Sequence, residues 1–182
     1  MKTIKIEIEG TSPLLMNRYN IEAEMDRQKG KRITKTYDSK EEAEKSAYFT
    51  KDKKNLMIPA INIYASILNA SSFHKINRRS AKSILAGSLR VMPEEVSLET
   101  KKYQIDIRPV VIQRARVLKS RARLDTWKAK FEIVYNEKLI GDAEIIRVVL
   151  EESGMRIGLM DYRPQKSGYY GTFKINRFEV QE

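Results

Sequence analysis

A cation-rich segment between Arg108 and Lys130 is the strongest chemical signal in this sequence. It holds eight basic side chains against a single carboxylate, Asp125. Like charges held close together repel one another in a folded protein, so such clustering is tolerated where a polyanion neutralises it. The phosphate backbone of a nucleic acid is a common cellular polyanion, and the excess of arginine over lysine suits forked donors that meet phosphate oxygens. The alternative interpretation is a solvated basic hairpin without a ligand.

The spacing of the arginines suggests how they would meet phosphates. On an extended strand, Arg114 and Arg116 would lie on one face about 6.6 Å apart, and Arg121 and Arg123 would repeat the pair. We expect the chain to turn near residues 118–120, so that the segment projects as a β-hairpin. Such a hairpin could follow successive phosphates of a single strand.

A second candidate site is the glycine-rich loop at residues 158–171. Its three glycines surround Arg163, Lys166, Tyr169 and Tyr170. Glycine permits a close approach of the backbone, arginine meets phosphate, and tyrosine can stack on a base. The loop does not end in Gly-Lys-Ser/Thr, so it is not a nucleotide-binding P-loop. The alternative is a plain turn whose tyrosines pack on a sheet.

A third basic stretch runs from His74 to Arg90 and contains no acidic residue. It adds Arg78 and Arg79 to the candidate phosphate ligands. His74, the only histidine, follows an apolar helical pattern and precedes cations, which favours a helix-end or phosphate-side role over catalysis.

Composition limits the classes of protein that the chain can represent. The 182 residues include 41% hydrophobic and 32% charged residues, with a net charge of +11, which predicts one globular domain over residues 1–182 with an acidic partner. No apolar run approaches the ~20 residues of a membrane-spanning helix. The absence of cysteine excludes disulfides and thiolate metal sites and fits a cytoplasmic protein. We expect no cofactor and no metal.

Hydrophobic periodicity predicts alternating strands and helices with one long polar excursion at residues 17–55. In chain order we expect a strand at 4–8, a short helix at 41–47, a helix from Pro59, a short helix at 80–86 stopped by Gly87, a strand at 103–112, a strand at 127–135, a helix from Asp142 to Gly154, and a strand at 172–180. This order predicts an α+β fold with a ferredoxin-like or RRM-like βαββαβ sheet. The polar insertion follows strand 1, and the basic hairpin at 108–124 lies between strands 2 and 3.

Three sequence blocks resemble the RAMP superfamily, whose ferredoxin-like members include backbone subunits of CRISPR effector complexes. The blocks are the first turn at residues 10–15, the helix start at 55–68, in which the family's glycines are replaced, and the late glycine-rich loop at 158–173. The Asp-Tyr-Arg-Pro run at 161–164 also resembles small proteins of viruses and prophages. The resemblance implies that the basic hairpin corresponds to the family's thumb, which separates short runs of bound nucleotides.

The resemblance also implies a catalytic alternative. Some RAMP proteins cleave RNA with an aspartate that follows the first strand, and Asp26 and Asp38 lie in that region, each in a mixed-charge context that singles out neither.

We therefore expect a non-enzymatic protein that binds single-stranded RNA or DNA without sequence preference and assembles head to tail into a filament. The alternatives are a RAMP-type endoribonuclease and a viral mimic that inserts into host CRISPR effector complexes. One of the two loop tyrosines would stack on a base. The residues expected to contact nucleic acid are Arg78, Arg79, Arg108, Arg114, Arg116, Lys119, Arg121, Arg123, Arg163, Lys166, Tyr169 and Tyr170.

Overall fold

The structure, a computed structural model, describes residues 1–21, 25, 28–29, 37–112 and 114–181. Its elements in chain order are β1 (Lys2–Gly10), β2 (Leu14–Leu15), α1 (Ser39–Ser46), β3 (Met57–Pro59), α2 (Ala60–Ser71), β4 (Lys75–Ile76), β5 (Arg79–Ser80), α3 (Ala81–Ser88), β6 (Leu89–Met92), β7 (Glu95–Ser97), β8 (Gln104–Ile112), β9 (Ala115–Leu124), β10 (Lys128–Tyr135), α4 (Glu137–Ile140), α5 (Glu144–Glu152) and β11 (Phe173–Gln181).

The central sheet has four antiparallel strands in the order β11-β1-β10-β6. β1 lies in the interior of this sheet because it pairs with β10 on one edge and with β11 on the other. Its alternating Ile4, Ile6 and Ile8 place three buried side chains on one face. Helices α2 and α5 pack together and, with the sheet, enclose the core. The mixed α and antiparallel β architecture confirms the predicted α+β class.

The second strand of the central sheet differs from the sequence prediction. That strand is β6, whose Leu89 and Val91 are buried between exposed neighbours, and it pairs with β10. The predicted strand at 103–112 does exist as β8, but it pairs with β9 in a separate sheet of order β2-β9-β8. Four residues of alternating burial after a helix give a weak periodic signal, which is why β6 was missed.

β8 and β9 form one long hairpin, and its turn is not where the sequence suggested. The predicted turn at 118–120 is wrong, because Leu118 pairs with Pro109 and Ile112 pairs with Ala115 at the tip. Arg114 lies in the turn with a φ of +69°, while Gln113 lies outside the described residues. Branched side chains on both strands favour continued pairing through the region where we expected a turn. We call this element the thumb hairpin (residues 104–124).

Two glycines predicted to stop helices do not stop them. Gly87 lies inside α3, which continues to the buried Ser88. After α5 the chain makes a π-helical turn at Ser153–Ile157 that contains Gly154. A Cβ at Gly154 would lie 2.2 Å from the carbonyl oxygen of Phe173, so the glycine serves close packing against β11.

The polar insertion contributes a helix that packs beside the thumb hairpin. Asp38 caps α1 by accepting hydrogen bonds from the backbone N–H groups of Lys40 and Glu41 at 2.8 and 3.2 Å. From the same helix, Glu42 accepts from the N–H of Ser120 and Ser46 accepts from the N–H of Ala122. These bonds satisfy backbone N–H groups of β9 that the short strand β2 does not reach. None of the helices in the described ranges is both long and apolar enough to span a bilayer.

The fold makes a sharp prediction for two glycines. Gly171 has a φ of +70° and a Cβ there would lie 2.0 Å from the Leu159 carbonyl oxygen, so Gly171→Ala should destabilise the protein by about 3 kcal/mol. The melting temperature should fall by roughly 6 to 12 °C. Gly87→Ala is the matched control, because its Cβ would meet open space in a helix and should stabilise by about 0.5–1 kcal/mol. Equal melting temperatures for the two variants would contradict this assignment.

Candidate nucleic-acid interface

The three sequence blocks at residues 10–15, 55–68 and 158–173 meet in space. The glycine-rich loop closes through a hydrogen bond from the Leu159 N–H to the Gly171 carbonyl at 2.9 Å. It docks on the first turn, where the Gly171 N–H donates to Pro13 and the Asp161 N–H donates to Leu15 at 2.8 and 2.9 Å. Such loop closure by its own backbone is typical of compact surface loops that carry function.

The loop also borders α2 across a polar cleft of about 240 Å³. Ser66 of α2 donates to the carbonyl oxygen of Gly158 at 2.9 Å and anchors one wall. Arg163 lies in the opposite wall, where its guanidinium bonds to the Met160 carbonyl and to Gln165. The polar side chains that line the cleft are those of Asn17, Tyr48, Asn62, Ser66, Asp161 and Arg163.

Three tyrosines of the loop form a cluster against the base of the thumb hairpin. The rings of Tyr169 and Tyr170 are 4.6 Å apart between centroids, and Tyr162 lies 5.7 Å from each. Tyr170 is 3% exposed and Tyr169 is 60% exposed. Of the two tyrosines expected to stack on a base, only Tyr169 therefore offers an open ring.

Arg108 connects the thumb hairpin to this cluster. It donates to the Tyr170 hydroxyl, and its guanidinium carbon lies 5.2 Å from the centre of that ring. Partial burial opposes its charge, but hydrogen bonding to Tyr169 and the Asp106 carboxylate raise the pKa of Arg108 above its usual value. The contacts with Tyr170 and then Arg108 lower the pKa of Tyr169, whereas burial raises that of Tyr170.

A single buried carboxylate, Asp106, lies among three arginines of the thumb base. Its oxygens are 2.9 Å from Arg108 Nε, 3.7 Å from Arg121 Nη2 and 3.8 Å from Arg123 Nη1. The side chains of Asp106 and Arg121 are only 5% and 9% exposed. The removal of one carboxylate from such a cluster would leave uncompensated buried positive charge.

Two further aspartates complete the neutralisation of this base. Arg121 Nη1 lies 2.7 Å from Asp161 of the glycine-rich loop, and Arg123 Nη2 lies 2.7 Å from Asp125. Three arginines thus meet three aspartates, and Arg121 is enclosed by two of them. Of the arginines expected to bind phosphate, Arg121 is committed to internal pairing, and Arg108 and Arg123 are partly committed.

The pairing of Asp106 and Asp161 with the arginines was not predicted from the sequence, for two different reasons. Asp106 stands two residues before the segment in which we counted charges, so a longer window would have found it. Asp161 reaches Arg121 only through the docking of the glycine-rich loop, which no local pattern encodes.

Three cations between the turn and the middle of the thumb hairpin, which we call the tip cations, have no such partners. Arg114 and Arg116 are exposed and Lys119 is half-buried, and none has an ion pair within the described part of the chain. Lys119 pairs across the ladder with Arg108, so it lies on the face that turns toward the tyrosines. Arg116 lies on the opposite face. Lys166, in the glycine-rich loop, is also exposed and unpaired.

The predicted ligands Arg78 and Arg79 belong to a different surface. They occupy the small β4–β5 hairpin at the far end of α2 from the cleft. The structure therefore does not bring them together with the thumb hairpin.

The open face of the central sheet is charge-balanced instead of basic. Glu9 lies 3.2 Å from Lys128 and 3.3 Å from Lys174, and hydrogen bonds from Asn176 and then these lysines lower its pKa to about 2. Glu7 lies directly opposite Lys130. The described side chains of this face in β1 and β10 include no aromatic ring, so it lacks the stacking platform of an RRM.

The two aspartates considered for RNA cleavage have different outcomes. The Asp38 carboxylate is engaged as the cap of α1. Asp26 lies outside the described residues. In the ranges that the structure describes, no group of three or more histidine, aspartate or glutamate side chains is arranged to hold a metal ion.

Comparison with known proteins identifies a shared fold. No protein-family model and no curated protein sequence matches the chain. Among solved structures it is similar to a chain in the cryo-EM structure of the Type III-B Cmr-beta bound to cognate target RNA, with a TM-score of 0.67 and 15% sequence identity. The match covers 100% of this chain and 61% of that chain, so this chain spans about three fifths of its length.

The charge network at the thumb base can be tested by removal of its central anion. Asp106→Asn should destabilise the protein by about 3 kcal/mol, because three arginines would lose their shared buried carboxylate. Urea denaturation followed by the fluorescence of the single tryptophan, Trp127, measures this change. Asp125→Asn, at a more exposed pair, is the control and should cost less than about 1 kcal/mol. A smaller loss for Asp106→Asn than for Asp125→Asn would contradict the assignment.

Proposed function

We propose that this protein is a RAMP-like, single-stranded RNA-binding protein that grips the phosphate backbone with its thumb hairpin. The observation that carries the proposal is the set of tip cations, Arg114, Arg116 and Lys119, which have no ion pair among the described residues, together with the exposed ring of Tyr169 on the face that Lys119 shares. Exposed cations next to a stacking surface are what sequence-independent recognition of a single strand requires.

The topology supports the family part of the proposal. The central elements run β1, α2, β6, β10, α5, β11, and numbering the strands by this order gives the sheet 4-1-3-2. We infer that this is the ferredoxin-like arrangement, with the thumb hairpin between its second and third strands. The three RAMP-like blocks meet at one place, the glycine-rich loop with its neighbouring turn and cleft.

The choice of RNA over DNA rests on the structural neighbour, which is bound to target RNA. We propose binding without cleavage, so end-labelled RNA incubated with the protein should stay at full length. Within this proposal Arg121 is a structural residue. The phosphate contacts come from the three tip cations and Lys166, with Arg108 and Arg123 contributing their exposed edges.

The tip cations give the proposal its direct test. If the thumb hairpin and the glycine-rich loop neutralise five phosphates per copy, these contacts should contribute about −3.5 to the log–log salt slope of RNA affinity. Replacement of the three tip cations, Arg114, Arg116 and Lys119, by glutamine should reduce the magnitude of that slope by about 2 and weaken binding at low salt. Fluorescence anisotropy with a labelled oligouridylate at several salt concentrations measures both quantities.

The control for this experiment removes the same charge elsewhere. Lys128 and Lys174 each have Glu9 as a carboxylate partner, at 3.2 and 3.3 Å, and Lys130 has Glu99 at 3.7 Å. Their triple replacement by glutamine should leave the salt slope unchanged. A flat salt response of the unmodified protein, or equal losses in the two triple variants, would end the proposal.

We further propose that copies assemble head to tail along the strand. The face of the thumb hairpin that turns away from the tyrosines carries exposed Ile107, Val111 and Leu118. A projecting ribbon with an exposed apolar face is suited to pack on another copy. Open heterologous contacts of this kind produce filaments and cooperative binding.

Cooperativity separates assembly from simple binding. Serine at Val111 and Leu118 should abolish cooperative binding to long RNA while leaving affinity for a short oligonucleotide unchanged. Sedimentation velocity with long and short RNA measures this. Val117→Ser, on the opposite face of the same strand, is the control and should retain cooperativity. Loss of cooperativity in the control, or in neither variant, would refute head-to-tail packing through this face.

A further inference from the structure

A second basic element stands at the end of α2, away from the thumb hairpin. β4 and β5 pair as Lys75 with Ser80 and Ile76 with Arg79, which leaves Asn77 and Arg78 as a two-residue turn. Both turn residues have positive φ, +47° and +66°. Positive φ at both positions defines the type I′ hairpin turn, in which glycine is the favoured second residue.

Arg78 is an unfavourable residue for the position that it holds. Asparagine tolerates the left-handed backbone conformation because its short polar side chain can form local hydrogen bonds. The longer arginine side chain adopts the same conformation at a cost in free energy. A residue with a strained backbone conformation is a candidate functional residue when its side chain can make a contact that glycine cannot make. Arg78 is exposed, and its guanidinium has no ion pair with any residue that the structure describes.

The helix that follows, α3, has a cation in its first turn, where an anion is favoured. In α3 the N-cap Ser80 makes no side-chain capping bond, and the first turn contains no acidic residue. Lys82 stands in that turn, although the N-terminus of a helix carries partial positive charge and disfavours a cation. An anion bound between Lys82 and the N-terminus of α3 would accept hydrogen bonds from the uncapped N–H groups and would offset the charge of Lys82.

The cations here are also uncompensated. Lys75, Arg78, Arg79 and Lys82 are exposed, and none has an ion pair in the portion of the chain that the structure describes. The sequence contains no aspartate or glutamate between residues 53 and 93. The four exposed cations therefore attract a polyanion.

An exposed aromatic ring lies close to these cations in the sequence. Phe73, which is 52% exposed, stands two residues before β4, and the Arg156 guanidinium carbon lies 4.0 Å from its ring centre. Aromatic rings that alternate with cations are the components of a surface for unpaired nucleotides.

We propose that Phe73, Lys75, Arg78, Arg79 and Lys82 form a second RNA-contacting surface that binds the phosphodiester backbone independently of the thumb hairpin. The proposal rests on the proposed function only in the identity of the ligand as RNA. About 14 Å of α2 separates Asn62, in the cleft, from Ser71, which precedes this surface. The β4–β5 hairpin therefore contacts different nucleotides from those that the cleft would contact.

The turn residue supplies a test that a structural role could not mimic. Arg78→Gly should leave the melting temperature unchanged or raise it by about 1–3 °C, because glycine fits the turn. The same variant should bind labelled oligouridylate more weakly, with a salt slope smaller in magnitude by about 0.7. Asn77→Gly is the control, since it changes the adjacent turn residue without removing a charge, and its salt slope should equal that of the unmodified protein.

Two further variants test the rest of the surface. Replacement of Lys75, Arg79 and Lys82 by glutamine should reduce the magnitude of the slope by about 2. Phe73→Ala should weaken binding roughly tenfold, as expected for loss of one stacked base, with the slope unchanged. Unchanged RNA affinity in both the triple variant and Phe73→Ala would overturn the second surface. A lowered melting temperature in Arg78→Gly with normal RNA binding would also overturn it.

The outcomes separate this inference from the proposed function. If the thumb-tip variant loses affinity and the variants of the second surface do not, only the second surface fails. If the variants of the second surface lose affinity and the thumb-tip variant does not, the second surface stands and the thumb proposal fails. If the unmodified protein does not bind RNA, both fail.

Discussion

The structure depends on how one carboxylate, Asp106, holds three arginines at the junction between the thumb hairpin and the rest of the protein. A ribbon of two strands has no core of its own, so its base must be fixed by contacts outside the ribbon. Asp106 supplies the shared anion, Asp161 brings in the glycine-rich loop through Arg121, and Tyr170 packs beneath Arg108 and Arg123. This network sets the direction in which the hairpin projects.

The same network divides the basic residues by role. Cations at the base are neutralised within the molecule and cannot contribute much to phosphate binding, whereas the tip cations and those on the β4–β5 hairpin have no ion pair among the described residues. Counting charges in a window therefore overstates the binding surface, because it ignores carboxylates that folding brings in from elsewhere. Exposure and pairing together identify the free cations, and in this protein both sets lie on β-hairpins that project their charge into solvent.

Local patterns predicted those parts of the fold that local physics determines. The alternating isoleucines of β1, the helix after Pro59 and the alternation in β10 were recoverable because burial on one face imposes a period. The short strand β6, the tip of the thumb hairpin and the roles of Gly87 and Gly154 were not, because pairing partners and close approaches set them. The basic hairpin itself was predicted, but the pairing of Arg121 with two distant aspartates was not.

The most direct test of the account is photocrosslinking of the protein to single-stranded RNA that contains 4-thiouridine, with crosslinked residues mapped by mass spectrometry. The account predicts crosslinks at Tyr169 and along the thumb tip from Arg114 to Lys119. Crosslinks confined to the charge-balanced open face of the central sheet, along Lys128 to Glu132, would contradict it.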